Sequence, residues 1–125
     1  MDQAAVERRA TDALRKAGAR FAFVHGSRAQ GAARPRSDLD VAAWWGGDAP
    51  GSWEVTLPAH VDLLVLDGAP LELAGRVALA GRLLFDDDPP ARVAWQAQTR
   101  LIYLDEQSRQ EELSRIFRKA RLSGR

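Results

Sequence analysis

Between Gly26 and Asp40 the sequence reads GSRAQGAARPRSDLD, a Gly-Ser pair followed after ten residues by two aspartates one residue apart. This stretch restricts the fold more than any other, because it asks for a strand that carries carboxylates at alternate positions. Successive side chains of a strand point to opposite faces, so Asp38 and Asp40 share one face with Cα atoms about 6–7 Å apart. Leu39, Val41 and Ala43 take the other face and can pack on helices. Two carboxylates so placed can share hard cations. Mg²⁺ takes oxygen ligands and commonly bridges one or two carboxylates and a substrate's phosphates, and a two-metal site spaces its ions about 3.5–4 Å apart. Gly26 lets backbone approach a phosphate with no Cβ in the way. Ser27 adds a hydroxyl and a backbone N–H donor if a short helix begins there.

The surrounding elements follow from periodicity and punctuation. Val6, Ala10, Ala13, Leu14 and Ala17 recur at helical spacing, with Gly18 placed as a C-terminal cap. Arg20 to His25 reads as a short buried strand that delivers Gly26 and Ser27. Residues 27–33 are Ala-rich and suit one or two helical turns before Gly31 and Pro35 stop them. A second strand runs from about Asp38 to Trp45. Residues 46–58 collect Gly, Pro, Asp and Ser, which predicts a loop with a short strand around Trp53 to Leu57. Val61 to Leu66 is the third strand, nearly all apolar except for Asp62. A carboxylate inside a central strand is costly to desolvate unless paired or metal-bound, and the simplest account puts Asp62 on the face of Asp38 and Asp40.

Past the Asp67-Gly68 turn, Pro70 opens a helix marked by Leu73, Ala74, Val77 and Ala78 and ending at Gly81. Arg82 to Phe85 suits a short edge strand. Asp86 to Asp88 before Pro89 is a helix start, an Asp cap with proline in the first turn. Val93, Ala97, Leu101 and Leu104 then recur at helical spacing, and Leu113, Ile116, Phe117 and Ala120 repeat it beyond a polar interval. These segments predict an α/β (α+β) fold: a mixed sheet of four or five strands, the carboxylates on one face and the helices packed on the other. The chain reads as a single domain over 1–125, with a basic amphipathic helical tail from about residue 107.

Composition narrows the function. At 125 residues the chain suits one domain and one principal site. The net charge of +1 gives no global reason to expect nucleic acid or membrane as a partner. There is no cysteine, which excludes disulfides and thiolate metal sites. The N-terminal residues are charged throughout, unlike a signal peptide, and no stretch approaches the ~20 apolar residues of a membrane span. A cytoplasmic protein is expected.

The stretch GSRAQGAARPRSDLDVAAW resembles the signature of the minimal nucleotidyltransferases, a branch of the DNA polymerase β-like superfamily defined by Gly-Ser, ten residues and Asp-x-Asp. Asp62 in HVDLLVL is similar in context to the family's third carboxylate, and residues 71–103 resemble its C-terminal part. The resemblance implies transfer of a nucleoside monophosphate from a nucleoside triphosphate to an acceptor hydroxyl, with release of pyrophosphate. It implies that Asp38, Asp40 and Asp62 are the catalytic and metal-binding residues for two Mg²⁺ ions, with Asp62 nearest the acceptor. Gly26 and Ser27 would hold the β- and γ-phosphates, and Arg28 could add a forked donor, although the family signature does not require it there.

Many minimal nucleotidyltransferases are antitoxins paired with a HEPN-type toxin, and some place AMP from ATP on a tyrosine of that toxin. The resemblance therefore implies an AMP-transferring antitoxin. The short chain leaves no obvious domain to present an acceptor, which a partner protein would supply. Two alternatives use the same residues differently: an antitoxin that neutralises by binding alone, and a nucleotidyltransferase acting on an antibiotic or metabolite. Trp44, Trp45 and Trp53 could stack on a nucleobase, but packing is the better reading for them. His25 and His60 read as a strand-end residue and a solvated one.

Overall fold

The computed structural model describes residues 2–26 and 39–123. Ser27, Arg28, Asp38 and the Ala-rich turns expected over 27–33 lie outside the described residues. The chain order is α1 (Gln3–Lys16), β1 (Phe21–His25), β2 (Leu39–Trp44), a single 3₁₀ turn at Ser52–Glu54, β3 (Val61–Val65), α2 (Leu71–Ala80), β4 (Arg82–Asp86) and α3 (Pro89–Ser123). Where a short strand was expected near Trp53, the chain makes the 3₁₀ turn instead. Its bounds are tied by reciprocal bonds, Gly51 N–H to Glu54 Oε1 at 2.9 Å and Glu54 N–H to the Gly51 carbonyl at 2.9 Å, which close one turn over Ser52–Glu54.

The helix ends are set by local chemistry. Asp2 accepts from the Ala5 N–H at 2.8 Å and caps α1. At the other end Gly18 takes φ +95°, and the Gly18 and Ala19 N–H groups donate to the Arg15 and Leu14 carbonyls. This is a Schellman motif with Leu14 and Ala19 in one apolar cluster. Asp88 caps α3 by accepting from the Ala91 N–H at 3.2 Å.

Four strands form one mixed sheet in the order β3-β2-β1-β4. β1 pairs antiparallel with both β2 and β4, while β2 and β3 run parallel. The helices do not share one face, contrary to expectation. Leu14 of α1 joins Ala22, Val24, Leu39, Val41, Ala43 and Phe85 on one side of the sheet. On the other side Phe21, Phe23, Ala42 and Leu66 pack with Val77 of α2 and with Ala91 and Trp95 of α3. The reason is in β1: Phe21 to Val24 are all buried, so both faces of the strand need cover.

α3 is a continuous helix of 35 residues, about 52 Å long at 1.5 Å per residue. The stripe Val93, Leu101 and Leu104 that marks it in the sequence is exposed, at 52%, 72% and 49%. The side toward the body is instead Arg92, Trp95, Gln96 and Tyr103, with Gln96 and Arg100 donating to the Ala78 carbonyl. Tyr103 lies directly on Gly75 of α2, where a Cβ would overlap its ring. Beyond Tyr103 the helix buries no further residue.

Candidate functional site

Sheet register brings three of the singled-out positions into one row. His25 of β1 is the Cα partner of Asp40 in β2, and Asp40 is the partner of Asp62 in β3. Adjacent strands lie about 4.8 Å apart, so Asp40 and Asp62 are neighbours on a single face, the face that also carries Phe23 and Ala42. Asp40 is half-buried and Asp62 exposed. The shared face follows from alternation in both strands, each aspartate being flanked by residues that enter the opposite core.

Asp62 does not lie in a central strand. β3 is at the edge of the sheet, because β4 returns to pair with β1 and leaves the outer side of β3 without a described neighbour. Its exposure therefore removes the desolvation cost that the sequence suggested. What singles it out is its register with Asp40.

Gly26 follows β1 with φ +75°, a conformation that favours glycine. A Cβ on it would come within 2.8 Å of Asp40 Oδ2. Backbone and carboxylate are thus packed together at the turn where the Gly-Ser pair begins. Burial holds the His25 imidazole below its ordinary range, against the opposing pull of the Asp40 charge and a backbone hydrogen bond with Val41. A neutral imidazole does not offset the Asp40 charge, so the row remains suited to a cation.

Among the described residues no group of three or more His, Cys, Asp or Glu could hold a metal ion. The described part of the carboxylate set is Asp40 with Asp62, and Asp38 is outside it. The donor chemistry fits Mg²⁺: hard carboxylate oxygens on adjacent strands, with a Cβ-free turn beside one of them.

Two features differ from the sequence reading, which made Asp67 part of a turn and Trp53 a packing residue. Asp67 accepts from the Trp45, Gly46 and Gly47 N–H groups at 2.9, 2.7 and 3.3 Å, fixing the exit of β2 to the end of β3. Its Asp-Gly dipeptide signals only a turn; the long-range partners are visible only once β2 and β3 are paired. Trp53 is 85% exposed, whereas Trp45 is buried with its Nε1–H on the Ala17 carbonyl and Trp44 stacks on Phe21 at 5.1 Å. Trp44 and Trp45 are packing residues, as their sequence context suggested.

The chain folds like one chain of a toxin–antitoxin crystal structure with AMP-PNP, with TM-score 0.73, 23% identity, and 89% of this chain and 98% of that one covered. It is also similar to a chain of the MntA–HepT toxin–antitoxin structure, with TM-score 0.67, 20% identity, and 92% and 99% covered. A third likeness is to a structure of the tri-AMPylated HEPN toxin of Shewanella oneidensis in complex with MNT antitoxin, with TM-score 0.70, 20% identity, and 93% and 99% covered. At these identities the likeness concerns the fold. No curated protein sequence is significantly similar to the chain. No described helix is long and apolar enough to cross a membrane. The pattern of the family "Polymerase beta, Nucleotidyltransferase" matches residues 10–90, from α1 through the start of α3 and across the whole carboxylate row, and the chain belongs to that family.

Proposed function

We propose that this chain is the antitoxin of a HEPN/MNT-type pair and acts by transferring AMP from ATP to a hydroxyl, a tyrosine, of its partner toxin. The observation that carries the reading is the register of Asp40 with Asp62, beside a Gly26 packed on Asp40, in a chain of nucleotidyltransferase family. The fold neighbours support the pairing, since their structures are of toxin–antitoxin complexes, one with AMP-PNP and one with an AMPylated HEPN toxin.

Asp38, Asp40 and Asp62 would hold Mg²⁺, which when bound supplies charge neutralisation for the triphosphate and for the entering and leaving oxygens. Gly26 and Ser27 would hold the β- and γ-phosphates with backbone and hydroxyl donors, and Arg28 would offer them a forked cation. The acceptor oxygen attacks the α-phosphorus, the bond from that phosphorus to the bridging oxygen breaks, and pyrophosphate leaves with the electron pair. Asp62, exposed at the sheet edge, is reachable by a hydroxyl on another protein and takes up its proton. His25, its pKa lowered by burial, adds no competing positive charge beside Asp40.

The test is the intact mass of a purified HEPN-type toxin after incubation with this chain, ATP and Mg²⁺, alongside an Asp38→Asn, Asp40→Asn double variant. Addition of one or more AMP units by the wild type alone supports the reading. An unmodified toxin that both forms bind and neutralise equally identifies an antitoxin that works by occlusion.

A further inference from the structure

The outer edge of β3 carries a groove that runs on from Asp62 beyond the carboxylate row. One open cavity of about 320 Å³ is lined by Ser52, Trp53, Val61, Asp62 and Leu63. A second, of about 340 Å³, continues along Leu63, Leu64 and Val65, again with Ser52 and Trp53. Trp53 is thus common to both. Together they follow the strand from Asp62 to its end.

Trp53 rests on its own turn despite its exposure. Its six-membered ring lies over Gly51, where a Cβ would come within 2.5 Å of it. The paired Gly51 and Glu54 hydrogen bonds close the turn that carries it. An indole held in place with most of its surface in water offers a large apolar area at little further cost in side-chain entropy, as binding anchors do. The strand beside it is the least buried of those whose two faces the cores use, with no fully buried residue in Val61–Val65. An edge strand presents backbone N–H and C=O groups to whatever extended chain lies against it.

We infer that this groove binds an extended, hydroxyl-bearing segment of the acceptor protein, which adds along the outer edge of β3 under Trp53 and presents its hydroxyl at Asp62. The inference rests on the proposed transfer for the identity of the acceptor, and it names how that acceptor is held. The ligand is peptide backbone with apolar side chains on alternate positions. Backbone pairing supplies affinity for any extended chain, and Trp53 together with Asp62 selects the register that brings the hydroxyl to the carboxylate row. Val61 and Leu63 belong to the face opposite Asp62, so a paired segment reaches both sides of the sheet edge.

The experiment uses the full chain and a purified HEPN-type toxin as the probe. Hydrogen exchange is followed at residues 61–65 with and without toxin, and AMP transfer is measured for wild type, Trp53→Ala and Trp53→Phe. Slowed exchange over 61–65, with Trp53→Ala raising KM for the toxin about tenfold or more, is the expected result. ATP affinity and melting temperature stay at wild-type values, and Trp53→Phe restores most of the loss. Unchanged exchange at 61–65, or protection confined to the exposed stripe of α3, overturns the groove even where transfer proceeds. Protection at 61–65 without AMP transfer by the wild type upholds the groove and defeats the transferase reading. A toxin that does not bind overturns both.

Discussion

The two edges of the sheet are built in opposite ways. β4 is pinned: Arg82 reaches Glu7 of α1 at 2.8 Å, Arg92 of α3 holds Asp86 at 2.9 Å, and just beyond the strand Arg15 grips Asp87 with two bonds of 2.8 and 2.9 Å. The register with β1 shifts between Ala22 and Phe23, a bulge that spoils the edge as a template for another strand. β3 pairs with β2 in unbroken register, with no bulge. It carries Asp62 and faces Trp53. One edge is closed by charge and helix contacts, and the other is the one to which the proposed function assigns the chemistry. Stability and function should therefore separate by edge, and substitutions can break that separation.

The largest effect is expected at the carboxylate row. Asp40→Asn removes a charge without changing shape, and AMP transfer should fall on the order of 10³-fold, as when one transition-state charge contact is lost. The denaturation midpoint should hardly move. A large loss of stability with residual transfer would mean that Asp40 belongs to the structural side. Gly26→Ala comes next. Its φ of +75° and a Cβ 2.8 Å from Asp40 Oδ2 make both backbone and carboxylate shift. About 1 kcal/mol or more of stability should be lost, with transfer reduced by more than the unfolded fraction explains. Calorimetry and initial rates on one sample separate the two.

What the sequence could show of this asymmetry depended on range. The Gly-Ser and Asp-x-Asp spacing, the caps at Gly18 and Asp88, and the strands around Phe23, Val41 and Leu63 are local signals, and the described ones are found where periodicity and turn residues placed them. The pairing that makes β3 an edge is not local. VDLLVL looks like a central strand because it is apolar, and its apolar residues do serve both cores, Val61, Leu63 and Val65 on one side and Leu64 and Leu66 on the other, yet only β2 pairs with the strand. The same holds for α3. Val93, Leu101 and Leu104 announce a helix, but the buried side is chosen by Gly75, which admits Tyr103, and by the Ala78 carbonyl, which draws Gln96 and Arg100. A polar side chain that finds a partner packs inward as readily as a leucine. For the site, alternation within the strands put Asp62 on the face of Asp40, but the row His25, Asp40 and Asp62 comes from the register of β2 with β1 and β3, which no spacing within one strand states.

At the closed edge the effects should be smaller and purely structural. Arg92 and Asp86 form a largely enclosed ion pair, with 27% and 11% of their side chains exposed. Arg92→Ala leaves that carboxylate without its guanidinium donor, and roughly 1–3 kcal/mol should be lost, as for other hydrogen bonds to charged groups. Urea denaturation measures it. Transfer per folded molecule should match the wild type; a matching loss of catalysis would show that α3 communicates with the carboxylate row through Phe21 and Phe23, against which Trp95 packs.

The smallest effect is at Asp87, and it comes with a sign. The Arg15 hydrogen bonds hold the Asp87 carboxyl below its ordinary value of 3.8, so the folded chain binds that proton less readily than the unfolded one. Its contribution is therefore complete above the unfolded pKa and is lost as pH falls through the folded value. Both groups are exposed, so the contribution is small. Asp87→Asn should melt slightly below wild type at neutral pH, and the gap should close on acidification below about pH 4. Melting curves from pH 7 to 3 give the comparison directly. A gap that persists at the lowest pH would assign the difference to the way Arg15 lies over the Phe85 ring, 4.8 Å from its centre, and not to the ionised pair.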